Sequence, residues 1–252
     1  MSRRHDKLGV KQTIQRTWMD KTVRMMLAGL SEKQIRTELD EYLATQRQSG
    51  GVGERGKRTY GMAISLLASW FSPDKELVSF RDDALQLAEI VSPDEWMPLH
   101  WAVVSASYPF WYNVALQTGR LFSLQEQVMQ RQIFSRLKEQ YGDREVVARN
   151  ARYTVRSFVA WGVLRDSDRK GCYLKAKPVA IQRADVAVLL LESMLLATPS
   201  AKGLLASFFN NPACFPFSIP AMSGIKVSEL NTRIEAVRYS LDDEVLHLKH
   251  MA

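Results

Sequence analysis

The sequence predicts a mainly α-helical protein, a helical bundle body that contains a winged helix-turn-helix with a small β-hairpin wing. Three observations carry this expectation. Apolar residues recur at helical spacing through most of the 252 residues, bounded by recognisable caps. One stretch, "VLRDSDRKGCYLKAKP", has an apolar start, a polar turn through Asp166–Gly171 and a return strand, which is hairpin chemistry. Positive charge is concentrated around that hairpin: residues 131–177 hold 12 Lys+Arg against 5 Asp+Glu, whereas residues 61–130 hold 3 against 8.

The first helix is read from "GVKQTIQRTWMDKTVRMMLAG", ending at Gly29, a residue suited to the left-handed position after a helix. The second, "LSEKQIRTELDEYLATQ", opens with Ser31 as N-cap and Gln34 three residues on, a capping box, with Leu30 and Ile35 as the staple around it. A Gly-rich basic loop near 47–59 follows. Its Gly51 to Lys57 stretch approaches the phosphate-loop pattern, but Arg58 stands where a Mg²⁺-binding Ser or Thr belongs, and a polar helix end precedes it instead of a strand. A connector is the expectation there.

Helices resume with "TYGMAISLLASWF" and "SPDKELVSFRDDALQLAEIV". The segment holding Trp96, Trp101 and Trp111 reads as buried helices interrupted near Pro98 and Pro109. His100 among these aromatics is expected to be a packed, hydrogen-bonded residue, because no nucleophile or carboxylate partner is signalled beside it. "SLQEQVMQRQIFSRLKEQYG" is expected to be one helix from Ser123 to Gly142, with Ile133, Phe134, Leu137 and Tyr141 on its apolar stripe.

Beyond Gly142, Asp143 suits the N-cap of "REVVAR", and Asn150 suits the cap of a second helix, "ARYTVRSFVAW", ending at Gly162. One continuous helix fits the same residues. In "ARYTVRSFVAW", Ala151, Val155, Phe158 and Val159 fall on one side, and Arg149, Arg152, Tyr153 and Arg156 on the other. Farther on, "ADVAVLLLESMLLA" is a buried helix, "FFNNPACFPFSIPAMSG" a proline-punctuated loop, and "RIEAVRYSLDDEVLHLK" ends in a possible short strand. His247 and His250, spaced i, i+3, lack the further ligands a metal site requires. The expected organisation is an N-terminal helical region over 1–122, a winged helix-turn-helix over 123–178 and a C-terminal helical region over 179–252.

Composition narrows the class. A 46% hydrophobic content and six tryptophans exclude a chiefly disordered chain. The run from Val186 to Ala197 falls short of the roughly 20 apolar residues needed to cross a bilayer, and it carries Glu192. The N-terminus lacks a signal-like hydrophobic region, and Cys172 and Cys214 offer neither a disulfide framework nor zinc spacing. A cytoplasmic protein with no membrane association is expected. Neither a nucleophile elbow nor a complete phosphate loop is present, so no enzyme and no cofactor is expected.

In a helix-turn-helix the second helix enters the major groove and its side chains reach phosphates and base edges. The residues expected to bind nucleic acid are therefore Arg144, Arg149, Arg152, Tyr153 and Arg156 on the helical part, and Arg169, Lys170, Lys175 and Lys177 on the hairpin. Arg55, Lys57 and Arg58 form a possible second basic patch. Double-stranded DNA is the expected partner. A protein–protein assembly module, or an RNA-binding protein, would use the same basic face.

The succession "RQIFSRLKEQYGDREVVARNARYTVRSFVAWGVL", then a hairpin and a C-terminal helix, resembles the BrxA family of bacteriophage exclusion (BREX) defence systems. The resemblance covers residues 20–250 loosely, through element order, length and the "VRSFVAWGVL" helix ending. It implies a mostly helical, non-enzymatic, DNA-binding accessory protein working with other defence proteins. The Gly-rich basic loop has no counterpart in it.

Overall fold

The computed structural model describes residues 3–46, 57–239 and 243–249, which form eleven α-helices and eight short strands. The first helix, α1, is Arg16–Leu27, shorter than its pattern predicted. Gly9 takes a left-handed φ of 64° with the Tyr108 ring where a Cβ would stand, and the Ile14 N–H is spent on the Ser157 hydroxyl. The chain therefore runs extended across the body before it coils. α2 (Glu32–Ala44) begins as expected with the Ser31–Gln34 capping box. Its buried Ile35, Leu39 and Leu43 face α3 (Lys57–Phe71). The phosphate-loop near miss at 51–56 lies outside the described residues, and Lys57 already begins α3.

α4 (Val78–Ile90), α5 (Trp96–Ser107) and α6 (Pro109–Phe122) complete the N-terminal half. Pro98 does not interrupt α5. It sits in the first turn, where a backbone N–H has no intrahelical partner to lose. Pro109 opens α6 for the same reason.

The single helix expected over Ser123–Gly142 is instead the strand β1 (Gln127–Met129) followed by α7 (Gln130–Tyr141). The helical spacing of buried residues holds only within α7, from Ile133 onward. Residues 127–129 pair with a strand more than forty residues away, which no local pattern reveals. After Gly142 a single helix, α8 (Glu145–Ala160), replaces the two-helix alternative. Asn150 is buried in mid-helix, its carbonyl accepting from the Thr154 hydroxyl, and Asp143 pairs with Lys138 in place of capping.

The hairpin is β2 (Leu164–Asp166) against β3 (Cys172–Lys175). β1 joins its other side, giving an antiparallel sheet in the order β1-β3-β2. A brief β4 (Val179–Ala180) leads to α9 (Ala184–Ala197), the predicted buried helix. The C-terminal part departs from a helical region. It contains β5 (Lys202–Leu204), α10 (Leu205–Phe209), β6 (Phe217–Ser218, parallel to β4), α11 (Gly224–Leu230), β7 (Ile234–Arg238) and β8 (Glu244–Leu248). β5, β8 and β7 form a second three-stranded sheet in that order. The proline-punctuated loop accordingly holds a short helix and a strand. No described helix is long and apolar enough to cross a membrane.

One contiguous hydrophobic core runs from Val10 to Leu246 through all three expected segments. Its centre is aromatic: Trp101 lies 4.9 Å from Phe158, 5.6 Å from Trp111 and 5.8 Å from Phe217, centroid to centroid. Beneath the C-terminal sheet the buried Glu192 carboxylate meets Arg233 through both oxygens, at 2.6 and 2.8 Å, and Arg233 also reaches Asp83. Hydrogen bonding to Glu192 raises the Arg233 guanidinium above its ordinary pKa. That pairing makes a charge tolerable in an otherwise apolar helix.

His100 is wholly buried, and its Nε2 lies 2.9 Å from Asp20 of α1. Packing and hydrogen bonding match the expectation, and the carboxylate comes from 80 residues upstream. Burial lowers its pKa against the opposing pull of Asp20, so the ring is held neutral.

Two outcomes follow from this packing. Phe158→Ala should cost about 3–5 kcal/mol in denaturant unfolding, because it empties the centre of the aromatic cluster. Since unfolding frees His100 to take a proton that the folded state refuses, stability should fall as pH drops below about 6.5. The slope of melting temperature against pH in that range should be shallower in His100→Gln.

Candidate nucleic-acid interface

α8 sorts its residues by side. Val147, Ala151, Val155 and Phe158 are buried, with Val159 half-buried against the same core. Ser157 ties the helix to the N-terminal arm by accepting from the Ile14 N–H, and the Trp161 indole donates to the Ile14 carbonyl. These contacts hold the helix by its inner face and fix its rotation. Arg149, Arg152 and Arg156 then point outward along one row, spanning about 10 Å of helix axis. Tyr153 leaves that row, since its ring packs partly against the core.

The join from helix to hairpin is built by Gly162. With φ at 75°, its N–H bonds to the Val159 carbonyl while the Val163 N–H bonds to that of Phe158, a Schellman closure. Val163 and Leu164 are then buried, so β2 starts in the core and its turn projects outward. The turn closes by the Cys172 N–H on the Arg169 carbonyl, with Gly171 at a φ of 72°. Its Gly171 carbonyl accepts from the Gln130 N–H at 2.8 Å, which pins the turn to the start of α7.

Between α8 and this turn lies a cleft of about 570 Å³. Arg152 and Arg156 form one wall, and Arg169 and Lys170 form the other. Tyr173 and Gln130 close the floor, the tyrosine hydroxyl donating to the Gln130 amide oxygen at 3.0 Å. Burial raises the Tyr173 pKa, while the nearby Arg156 and Arg152 charges oppose the rise. Asp166 bonds Arg156 across the cleft, Nη1 to Oδ1 at 2.6 Å. Burial pulls the Arg156 pKa down, but Asp166 and Tyr173 outweigh it and leave the guanidinium above its ordinary value. The cleft is thus a permanently cationic concavity with two arginine forks, suited to an oxyanion.

Four of the predicted site residues, Arg152, Arg156, Arg169 and Lys170, converge on this cleft, and Arg149 continues the row beside it. The others do not join them. Lys175 is exposed at the far end of β3, opposite Leu164, about 10 Å of strand from the turn. Lys177 lines a separate pocket of about 270 Å³ with Arg16, Trp161 and Arg183. Arg144 is the N-cap of α8, donates to the Tyr141 carbonyl and faces a groove shared with Arg120. Arg55 and the side chains of Lys57 and Arg58 lie outside the described residues. His247 sits 3.5 Å from Glu235, and His250 lies outside the described residues.

Sequence reasoning missed Gln130, Asp166 and Tyr173. Asp166 was read only as a turn residue, because its meeting with Arg156 depends on the hairpin folding back along α8. Among the described residues no three His, Cys, Asp or Glu side chains gather as metal ligands. Compared with known proteins, the chain matches no family model, no curated protein and no solved structure.

The helix-to-hairpin join can be tested alone. A Cβ on Gly162 would meet nothing within 4 Å, so Gly162→Ala isolates the cost of its left-handed backbone. Chemical denaturation should show a loss of about 1 kcal/mol, with the folded circular dichroism spectrum retained.

Proposed function

We propose that this chain is a non-enzymatic DNA-binding protein of the winged helix-turn-helix type, gripping duplex DNA through α8 and the β2–β3 hairpin. The observation that carries the reading is the convergence of Arg152 and Arg156 from the helix with Arg169 and Lys170 from the turn on one cleft. A solvated helix face carries scattered charge. Here a helix and the turn of the hairpin that follows it direct their cations to one place, which supports a polyanion as the ligand.

The element order also supports it. α6, β1, α7, α8 and the hairpin follow one another as helix, strand, helix, helix, wing, with β1 paired to the hairpin and α7 taking the place expected for "REVVAR". α8 is then the helix for the major groove, and Arg149, Arg152 and Arg156 are the side chains that reach phosphates or guanine edges. The turn, with Arg169 and Lys170, meets the neighbouring backbone. Phosphate contacts dominate this set, so affinity for any duplex exceeds discrimination between sequences.

Service in a BREX-type defence system, alongside other defence proteins, is part of the proposal and rests on the resemblance to BrxA proteins in element order, length and the "VRSFVAWGVL" helix ending.

Binding to a random-sequence 30-base-pair duplex across a salt series tests the central claim. Neutralising roughly five phosphates predicts a slope of log affinity against log salt of about −4.5. The Arg152→Glu/Arg156→Glu variant should bind at least about tenfold more weakly, with a slope shallower by about 2. Undetectable binding of the unaltered protein at low salt would overturn the proposal and favour a protein partner for this face.

A further inference from the structure

The cleft between α8 and the hairpin turn contains its own counter-ion. Asp166 is the single carboxylate among its lining residues, and it holds Arg156 at 2.6 Å. The two groups come from different elements, ten residues apart, and meet because β2 runs back along α8. Both are about half exposed, at 42% and 53%, so the bond does not brace a buried core. An exposed pair of this kind contributes little to stability. Its position is nonetheless particular: the carboxylate occupies the arginine that two neighbouring elements have aimed at an anion.

Resting on the DNA-binding reading, we propose that Asp166 is a built-in competitor for a backbone phosphate, occupying Arg156 in the free protein and giving way to a phosphodiester when a duplex docks. The exchange is chemically matched, because a carboxylate and a phosphodiester oxygen accept from the same guanidinium donors in the same geometry. Arg152, Arg169 and Lys170 stay available to the incoming phosphate as it arrives. The phosphodiester must first break the Arg156–Asp166 bond, and that loss is subtracted from every complex the protein forms. Asp166 thereby lowers the affinity for DNA in general, and it acts through Arg156.

The test compares the full chain with Asp166→Asn and with Asp168→Asn, on the same random duplex and salt series. Asp168 is exposed on the same turn, two residues on, and does not line the cleft. Asp166→Asn should bind about threefold to fivefold tighter, with little change in slope, because Arg156 reaches a phosphate in both proteins and only the competing carboxylate is removed. Asp168→Asn should gain less than half as much. In an Arg156→Gln background the Asp166→Asn gain should vanish, which a general charge effect would not do. Thermal melting should differ little between Asp166→Asn and the unaltered protein, keeping folding separate from binding.

Equal gains from both aspartates, or no gain from Asp166→Asn while the unaltered protein binds, would overturn the competitor role and leave DNA binding standing. No binding by the unaltered protein would remove the DNA reading itself, and this inference with it.

Discussion

The packing of Phe158 against Trp101 is the contact on which the rest of the structure depends. It joins α8 to α5 at the centre of the aromatic cluster, and Trp111, Trp161, Phe215 and Phe217 close around it. Aromatic side chains bury more apolar surface than any others, and their edge-to-face arrangements restrict rotation as well as translation. Once Phe158 is seated, the helix has one allowed orientation. Its outward row of arginines is a consequence of that seating. Gly162 then turns the chain so that Val163 and Leu164 continue the core, and the hairpin has to emerge beside the arginines.

Charge is handled in opposite ways on the two sides of the molecule. Inside, Glu192 is matched by Arg233 and Asn231 with every carboxylate oxygen engaged, because an unpaired charge there would carry a large desolvation penalty. At the cleft, Arg149 and Arg152 enter no ion pair among the described residues, and Arg156 has only the half-exposed Asp166. The first arrangement holds elements together. The second keeps positive potential directed at solvent, where it attracts anions and is screened by salt over about 8–10 Å.

His100 illustrates how a chemically suggestive residue becomes structural. It is surrounded by Trp70, Trp96 and Trp161 at centroid distances of 5.5 to 6.3 Å, and no solvent reaches it. Because a carboxylate only accepts, a neutral imidazole facing Asp20 must carry its proton on Nε2. The pair couples α1 to α5, and Asp20 also meets Arg16 at 3.7 Å.

Local chemistry was enough for much of this. The Ser31–Gln34 box, the glycines at 29, 142 and 162, the apolar run of α9 and the turn before Cys172 all act within a few residues, so the sequence by itself determined those boundaries. It also determined the two-faced character of α8 and the four cations of the cleft, because helical periodicity assigns Arg152 and Arg156 a side and the turn signal places Arg169 and Lys170 at the hairpin tip. Tertiary structure decided what depends on distant partners. β1 exists because residues 127–129 find β3, and the C-terminal sheet exists because β5 finds β8. The same dependence separated Lys175, Lys177 and Arg144 from the cleft and brought Asp166 to Arg156. Strand pairing and ion pairing are contacts across sequence distance, and their energy is realised only after the core has set the register.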